Sequence, residues 1–342
     1  MPAVSVVVPL FNKERYIRRC LESVCRQTMP DFEVIVVDDG SSDSSAEMAE
    51  GMADSRTRVV RQENRGGGGA RNRGIREARG ELIAFLDADD EWRPEFLEAV
   101  MDLGRAYPEA GILATGYRRY RDGSWDMETT LAGPSSGHRR LIRNYLSLAM
   151  KGNPVCSSNT AIPQRVLAEI GGFPEGERYG EDRDLWVRVT LKYPVAYDVR
   201  ILSIYHSEAL GRVLDQRLPE PPLPPAVPTL RRALKENRVP ADKLAEVRLY
   251  SDAIQMQCFY AQLHIRHEAN AKALLTDGYL TARYNALAVL WRVLLIFLPM
   301  RVLKAIRLKP QNAMRRVKGW LSREVEYHYG ELLIREVPAE RG

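Results

Sequence analysis

Phe85-Leu86-Asp87-Ala88-Asp89-Asp90 decides the fold, because an apolar run breaks there into three carboxylates within four positions. The run reads as a buried parallel strand, so the carboxylates gather where that strand leaves its sheet. Like charges this close repel. A counter-charge is needed, and a divalent cation that takes oxygen ligands while holding a phosphate supplies one. A helix start is the competing reading, since Asp90 precedes Glu91-Trp92-Arg93-Pro94 and acidic residues favour a first turn. The neighbouring segments choose between the two.

Working outward, Val4-Ser5-Val6-Val7-Val8-Pro9-Leu10-Phe11-Asn12 is a β-branched run stopped by a proline. Tyr16, Ile17, Cys20, Leu21 and Val24 then recur at helical spacing. A second strand, Phe32-Glu33-Val34-Ile35-Val36-Val37, runs into Asp38-Asp39-Gly40-Ser41-Ser42-Asp43. Strands alternating with helices imply an open α/β sheet whose ligands bind at the carboxyl ends of the strands. Phe11, Asp39, Asp87 and Asp89 then share one face. An aromatic ring and a carboxylate there suit a base, with Asp87 and Asp89 left for ribose and metal. Asp38 and Asp43 also read as turn and helix caps.

Two further segments bear on the site. In Asn64-Arg65-Gly66-Gly67-Gly68-Gly69-Ala70-Arg71-Asn72, four glycines let the backbone approach a ligand, and Arg71 is expected to open a helix whose N-terminus favours anions. A flexible surface loop is the plainer reading. Gly171-Gly172-Phe173-Pro174-Glu175 precedes Tyr179-Gly180-Glu181-Asp182-Arg183-Asp184-Leu185-Trp186, where Leu185, Trp186 and Val189 mark a helix with an apolar side. Its acidic first turn, taken alone, caps that helix and complements its dipole.

Together these segments resemble family 2 glycosyltransferases, the inverting family with the GT-A fold, over roughly Val4 to Ser207. The resemblance implies a nucleotide-sugar donor, expected to be a UDP-sugar. It assigns Pro9, Phe11, Glu14 and Asp39 to the nucleotide, with Arg71 and Asp87 also on the donor side. Asp89 falls on the metal position, and Asn64, Gly67, Ala70, Arg71, Asn72 and Gly74 match a further family segment. Asp182 falls on the general base, and His206 near a histidine that completes the metal shell or binds diphosphate. The cofactor implied is Mn²⁺ or Mg²⁺. The chemistry asks for such a base, because an acceptor hydroxyl is a poor nucleophile at neutral pH. One carboxylate as base without an enzyme nucleophile gives a single inverting displacement.

At 342 residues with a 45% hydrophobic fraction the chain exceeds one typical domain. Cys20, Cys25, Cys156 and Cys258 form no disulfide framework, so a reducing compartment is expected. Polar residues by Asn12 and Lys13 speak against a secretory leader, and a cytoplasmic catalytic part follows as an expectation. The organisation expected is a catalytic α/β domain over 1–218, a Pro-rich linker over 219–229, and a helical region over 230–342. Within that last region, Ala286–Pro299 is apolar but short, and Arg301, Lys304, Arg307, Lys309, Arg315, Arg316, Lys318 and Arg323 follow. A segment over about 283–323 that lies on an anionic membrane fits that pattern, and so does a core helix with a solvated basic tail. No nucleic-acid motif accompanies the charge.

The acceptor expected is a glycan or lipid-linked molecule of the cell envelope, reached from the inner membrane face, with oligomerisation left open. Residues that select it are expected in loops between Tyr117 and Asn159, which carry no readable pattern. A Rossmann-like methyltransferase is disfavoured by the missing Gly-x-Gly turn after the first strand. A non-catalytic scaffold is disfavoured by Asp87, Asp89 and Asp182.

Overall fold

The run Val4–Leu10 forms strand β1 at the centre of a sheet, and its side chains divide by period two. Val4, Val6 and Val8 join one apolar core, whereas Val7 faces the opposite side, against Gly74. The structure, a computed structural model, describes residues 1–121, 124–131, 137–177, 179–209, 223–264 and 332–336. The chain divides into two compact units, Met1–Gln216 with Gly330–Gly342, and Arg217–Tyr329.

In the first unit β1 leads through α1 (Ile17–Cys25) to β2 (Phe32–Asp38), and α2 (Ser45–Gly51) leads to β3 (Thr57–Arg61). Helix α3 (Gly66–Glu77) leads to β4 (Leu82–Phe85). These four strands are parallel in the order β4-β1-β2-β3, so their carboxyl ends share one edge. Helix α1 and the later α4 (Phe96–Ala106) cover the face of Val6 and Val8. Residues Glu91–Trp92 form a two-residue strand, β5, so the helix expected after Asp90 begins only at Phe96.

The remaining strands run mostly the other way. They are β6 (Ile112–Arg121), β7 (Ser124–Leu131), β8 (Arg139–Ile142), β9 (Thr160–Pro163) and β10 (Val195–His206). Strand β9 is antiparallel to β4 and β6, and β10 pairs parallel with β6 but antiparallel with β8 and β5. Helices α5 (Tyr145–Lys151), α6 (Gln164–Ile170) and α7 (Glu181–Lys192) complete this half. The stretch Tyr117–Asn159, expected as loops, therefore holds half of β6, all of β7 and β8, and α5.

In the second unit α8 (Ala226–Lys235) and α9 (Leu244–His264) pack together, burying Val227, Leu230, Val247 and Ile254. Helix α8 starts inside the segment expected as a linker. Pro225 stands at its N-cap and Pro228 in its first turn, where a missing N–H breaks no intrahelical bond. Finally β11 (Leu332–Glu336) pairs antiparallel with β7, for eleven strands in one sheet among the described residues. No helix among the described residues is long and apolar enough to cross a membrane. The segment 283–323 lies outside the described residues.

Candidate active site

The candidate residues meet where β1, β2 and β4 end. Leu10 pairs with Asp38 and Val7 with Phe85, so Phe11, Asp39 and Asp87 emerge side by side. The Asp39 N–H donates to the Leu10 carbonyl at 2.8 Å. Gln62 Nε2 and the Arg65 N–H both donate to Asp39 Oδ1, at 2.7 and 2.8 Å, while its Oδ2 is not used by either. The Phe11 ring stands out, 45% exposed where most large apolar side chains among the described residues are buried. An apolar ring left in solvent beside a buried carboxylate suits the face and edge of a base.

The loop carrying Phe11 is rigid for its length. Asn12 adopts φ +50°, its Oδ1 accepts from the Ser42 N–H at 2.8 Å, and its own N–H donates to Ser41 Oγ at 3.0 Å. The Lys13 N–H donates to Ser45 Oγ at 2.7 Å, and Glu14 Oε2 accepts from the Ser44 N–H at 3.3 Å. Glu14 thus spends one oxygen on the turn before α2. Pro9 lies within β1 opposite Val37.

Arg71 is the hub of the site. Its buried guanidinium donates to Asp87 Oδ1 at 2.6 Å and to Glu181 Oε1 at 3.0 Å, and sits 5.4 Å from the Phe173 ring centroid. Arg71 does not open a helix as expected, because α3 already begins at Gly66. The glycines before it differ: a Cβ on Gly66 would meet nothing within 4 Å, whereas Gly68 is closed in. A Cβ on Gly68 would lie 2.9 Å from the Pro174 carbonyl and 3.5 Å from Phe173, so this backbone approaches the protein's own chain. Next to Arg71, Asn72 Nδ2 donates to the Phe173 carbonyl and its Oδ1 accepts the Phe173 N–H, both at 2.8 Å. Two adjacent residues of α3 therefore bring the 173–182 segment to the end of β4.

The first turn of α7 holds three carboxylates with three different partners. Glu181 is tied to Arg71, and Asp184 to Arg188 at 2.7 Å. Asp182 accepts its neighbour's N–H, that of Arg183, at 2.6 Å and makes no ion pair among the described residues. Burial, opposed by Arg71 and reinforced by Asp182, raises the Glu181 carboxyl above its ordinary range.

Asp89 Oδ2 lies 2.9 Å from Lys13 Nζ, and its carbonyl accepts from Arg19 at 2.6 Å. Behind it, Asp90 is fully buried, accepting the His206 N–H at 2.8 Å and the Ser158 hydroxyl. Burial first, then the Asp89 and Asp87 charges, push the Asp90 carboxyl well above the usual range. His206 Nε2 meets Glu91 at 2.9 Å, whereas its buried Nδ1 has no hydrogen-bond partner and lies 3.6 Å from Glu208 Oε1. Among the described residues no three His, Cys, Asp or Glu converge on a ready-made metal cage. A hard cation that finishes its shell with substrate phosphates needs only one or two protein ligands, and Asp89 with His206 Nδ1, which makes no hydrogen bond, fits that pattern.

Sequence reasoning missed Ser158. It lies in a 3₁₀ turn, Ser157–Asn159, where its Oγ accepts the Asp87 N–H and its carbonyl accepts from Trp92 Nε1 and Ser203. That turn is the floor on which Asp87–Asp90 rests, and a Ser-Ser-Asn triplet carries no signal for such a role. The nearby Cys156 thiol is pushed well up by burial, then by Asp90, Asp87 and Asp182, which disfavours its thiolate.

Fold and site define a GT-A nucleotide-diphosphate-sugar transferase architecture. Staphylococcus aureus TarS 1–349, solved with UDP-GlcNAc, superposes with a TM-score of 0.65 at 19% identity, covering 99% of each chain. The mannosyltransferase PcManGT of Pyrobaculum calidifontis, solved with GDP-Man and Mn²⁺, gives 0.55 at 20% identity over 96% of this chain and 88% of its own. Residues 5–171 match Glycosyl transferase family 2, and that part of the chain belongs to the family. It is 44% identical to EpsH of Bacillus subtilis over 134 residues, 38% of either chain. An uncharacterized glycosyltransferase of Nostoc, alr2836, is 37% identical over 178 residues, half of this chain and 53% of its own. The match thus spans well under two thirds of either relative.

Proposed function

We propose that the chain moves a sugar from a nucleotide-diphosphate donor to an acceptor hydroxyl with inversion, in a metal-dependent reaction. The observation that carries this reading is the pairing of the α7 first turn. Arg71 takes Glu181 and Arg188 takes Asp184, which leaves Asp182 as the carboxylate of that turn with no ion pair among the described residues, next in sequence to Glu181, which shares Arg71 with Asp87. A carboxylate so placed can accept the acceptor's proton as its oxygen attacks C1 and the C1–O bond to the diphosphate breaks. Asp182 gains the proton, and the nucleoside diphosphate leaves with the electron pair.

On the donor side, the Phe11 ring stacks on the base and Asp39 Oδ2 accepts from its ring N–H, with Pro9 and Glu14 shaping the same loop. Asp87 takes the ribose, and Arg71 beside it contributes positive charge to the donor. Asp89, with His206 Nδ1 as a second ligand, would hold a divalent cation, which would supply positive charge for the leaving diphosphate. The TarS complex with UDP-GlcNAc favours a UDP-sugar, and the PcManGT complex with GDP-Man makes a guanine donor the second reading.

A cell-envelope glycan or lipid-linked acceptor, with peripheral attachment to the inner membrane face through 283–323, completes the proposal. Salt-sensitive co-sedimentation of the full chain with anionic vesicles, and not with neutral ones, checks the attachment. Equal pelleting with both lipids, or with neither, rejects it. For the chemistry, Asp182→Asn is expected to fold and to bind donor but to lose turnover by roughly a hundredfold or more, the scale of a lost general base. Full activity in that variant returns Asp182 to helix capping.

A further inference from the structure

Lys13 has no part in the assignments above, yet its ammonium nitrogen lies 2.9 Å from Asp89 Oδ2. Neither side chain is loose, each being 13% exposed. The backbone under Lys13 is fixed on both sides. Its N–H donates to Ser45 Oγ on α2, and its carbonyl accepts the Tyr16 and Ile17 N–H groups at the start of α1, both at 2.9 Å. Asp89 is held as firmly through its carbonyl by Arg19. Two anchored residues therefore meet over the carboxylate proposed to hold the cation.

We infer that Lys13 is an internal counter-ion that competes with the divalent cation for Asp89. This rests on the reading of Asp89 as the cation's ligand and adds a consequence for the order of binding. A free cation arriving at the ligand-free protein must displace an ammonium already paired with its ligand, and the two positive charges then repel. A cation arriving with a nucleoside diphosphate brings negative charge that receives the displaced ammonium. Lys13 thus couples the two ligands: each binds more tightly in the presence of the other. The loop that carries Lys13 also carries Phe11 and Glu14, so the nucleotide's seat and the counter-ion are one piece of backbone.

The test titrates Mn²⁺ alone into the full chain by calorimetry, then repeats the titration with UDP present. Lys13→Met is expected to bind Mn²⁺ alone roughly three- to tenfold tighter than the wild type, the scale of one released ion pair with added repulsion. The gain in Mn²⁺ affinity on adding UDP should shrink by a similar factor. Lys13→Arg, which keeps the charge, should behave as the wild type and controls for loss of packing, with thermal unfolding of each variant as the check on folding. Equal Mn²⁺ affinity in the wild type and Lys13→Met, or no binding by either, overturns the competition. Asp89→Asn separates the two levels. If it still binds Mn²⁺, the metal assignment fails and the inference with it. If it abolishes binding while Lys13→Met changes nothing, only the inference fails.

Discussion

The β1–β4 half and the β6–β10 half contribute to one site by different means. In the first, parallel strands end in carboxylates, and each chemical group lies within a few residues of the strand that delivers it. Asp39 follows β2 directly, and Asp87 lies two residues beyond β4. In the second, parallel and antiparallel pairings are mixed, and the groups that matter are tied in by contacts between residues 68 to 110 apart in sequence. Ser158 supports Asp90, Asn72 holds Phe173, and Arg71 holds Glu181. The first half is placed by topology. The second is tied to the first by side chains that reach both ways, Arg71 and Asn72 from the first and Ser158 from the second.

That contrast is open to attack, most strongly at Arg71. Arg71→Met is expected to cost about 2–4 kcal/mol in denaturant unfolding, because it strands two enclosed carboxylates, and to abolish turnover. Adding Glu181→Gln to that variant should recover part of the loss. If Arg71→Met unfolds at the wild-type denaturant concentration, the acceptor half does not depend on the hub. Asn72→Ala removes both bonds to the Phe173 backbone and is expected to cost about 2 kcal/mol. Its KM for donor should change less than its kcat, since the loop it releases leads to Asp182. A change confined to donor affinity breaks the division of labour drawn here. Ser158→Ala, at about 1–2 kcal/mol, leaves buried Asp90 with one donor fewer.

The smallest effect is a slope. Because the Asp90 carboxyl is raised in the folded state, its contribution to stability is full below the unfolded value and fades as pH rises through the folded one. Asp90→Asn removes that titration. Its stability relative to wild type should therefore improve as pH climbs from about 4 and level off once Asp90 is ionised in the folded protein. Parallel pH curves for the two proteins contradict the raised value.

How much of this was legible follows the same division. The parallel strands and the positions of Phe11, Asp39, Asp87 and Asp89 could be read because continuous apolar runs ending in Asp are local signals, and the GT-A resemblance because its motifs are short and contiguous. The start of α3 was misplaced by five residues, since Gly disfavours helix interiors and only the packing of Gly68 on Pro174 justifies it there. Pro residues hid the start of α8 for a similar reason: a proline is forbidden in a helix interior but not in a first turn. Ser158 and the Lys13–Asp89 contact were beyond reach, being properties of distance rather than of pattern.

A Cβ on Gly172 would sit 2.2 Å from Asn72 Oδ1. In engineering terms, residues 64–77 and 171–184 form one cassette although about a hundred residues of chain separate them. A designer who grafts a new acceptor loop onto this scaffold must carry both pieces together. Moving the loop alone presents a foreign side chain to Asn72 and lifts α7 away from Arg71.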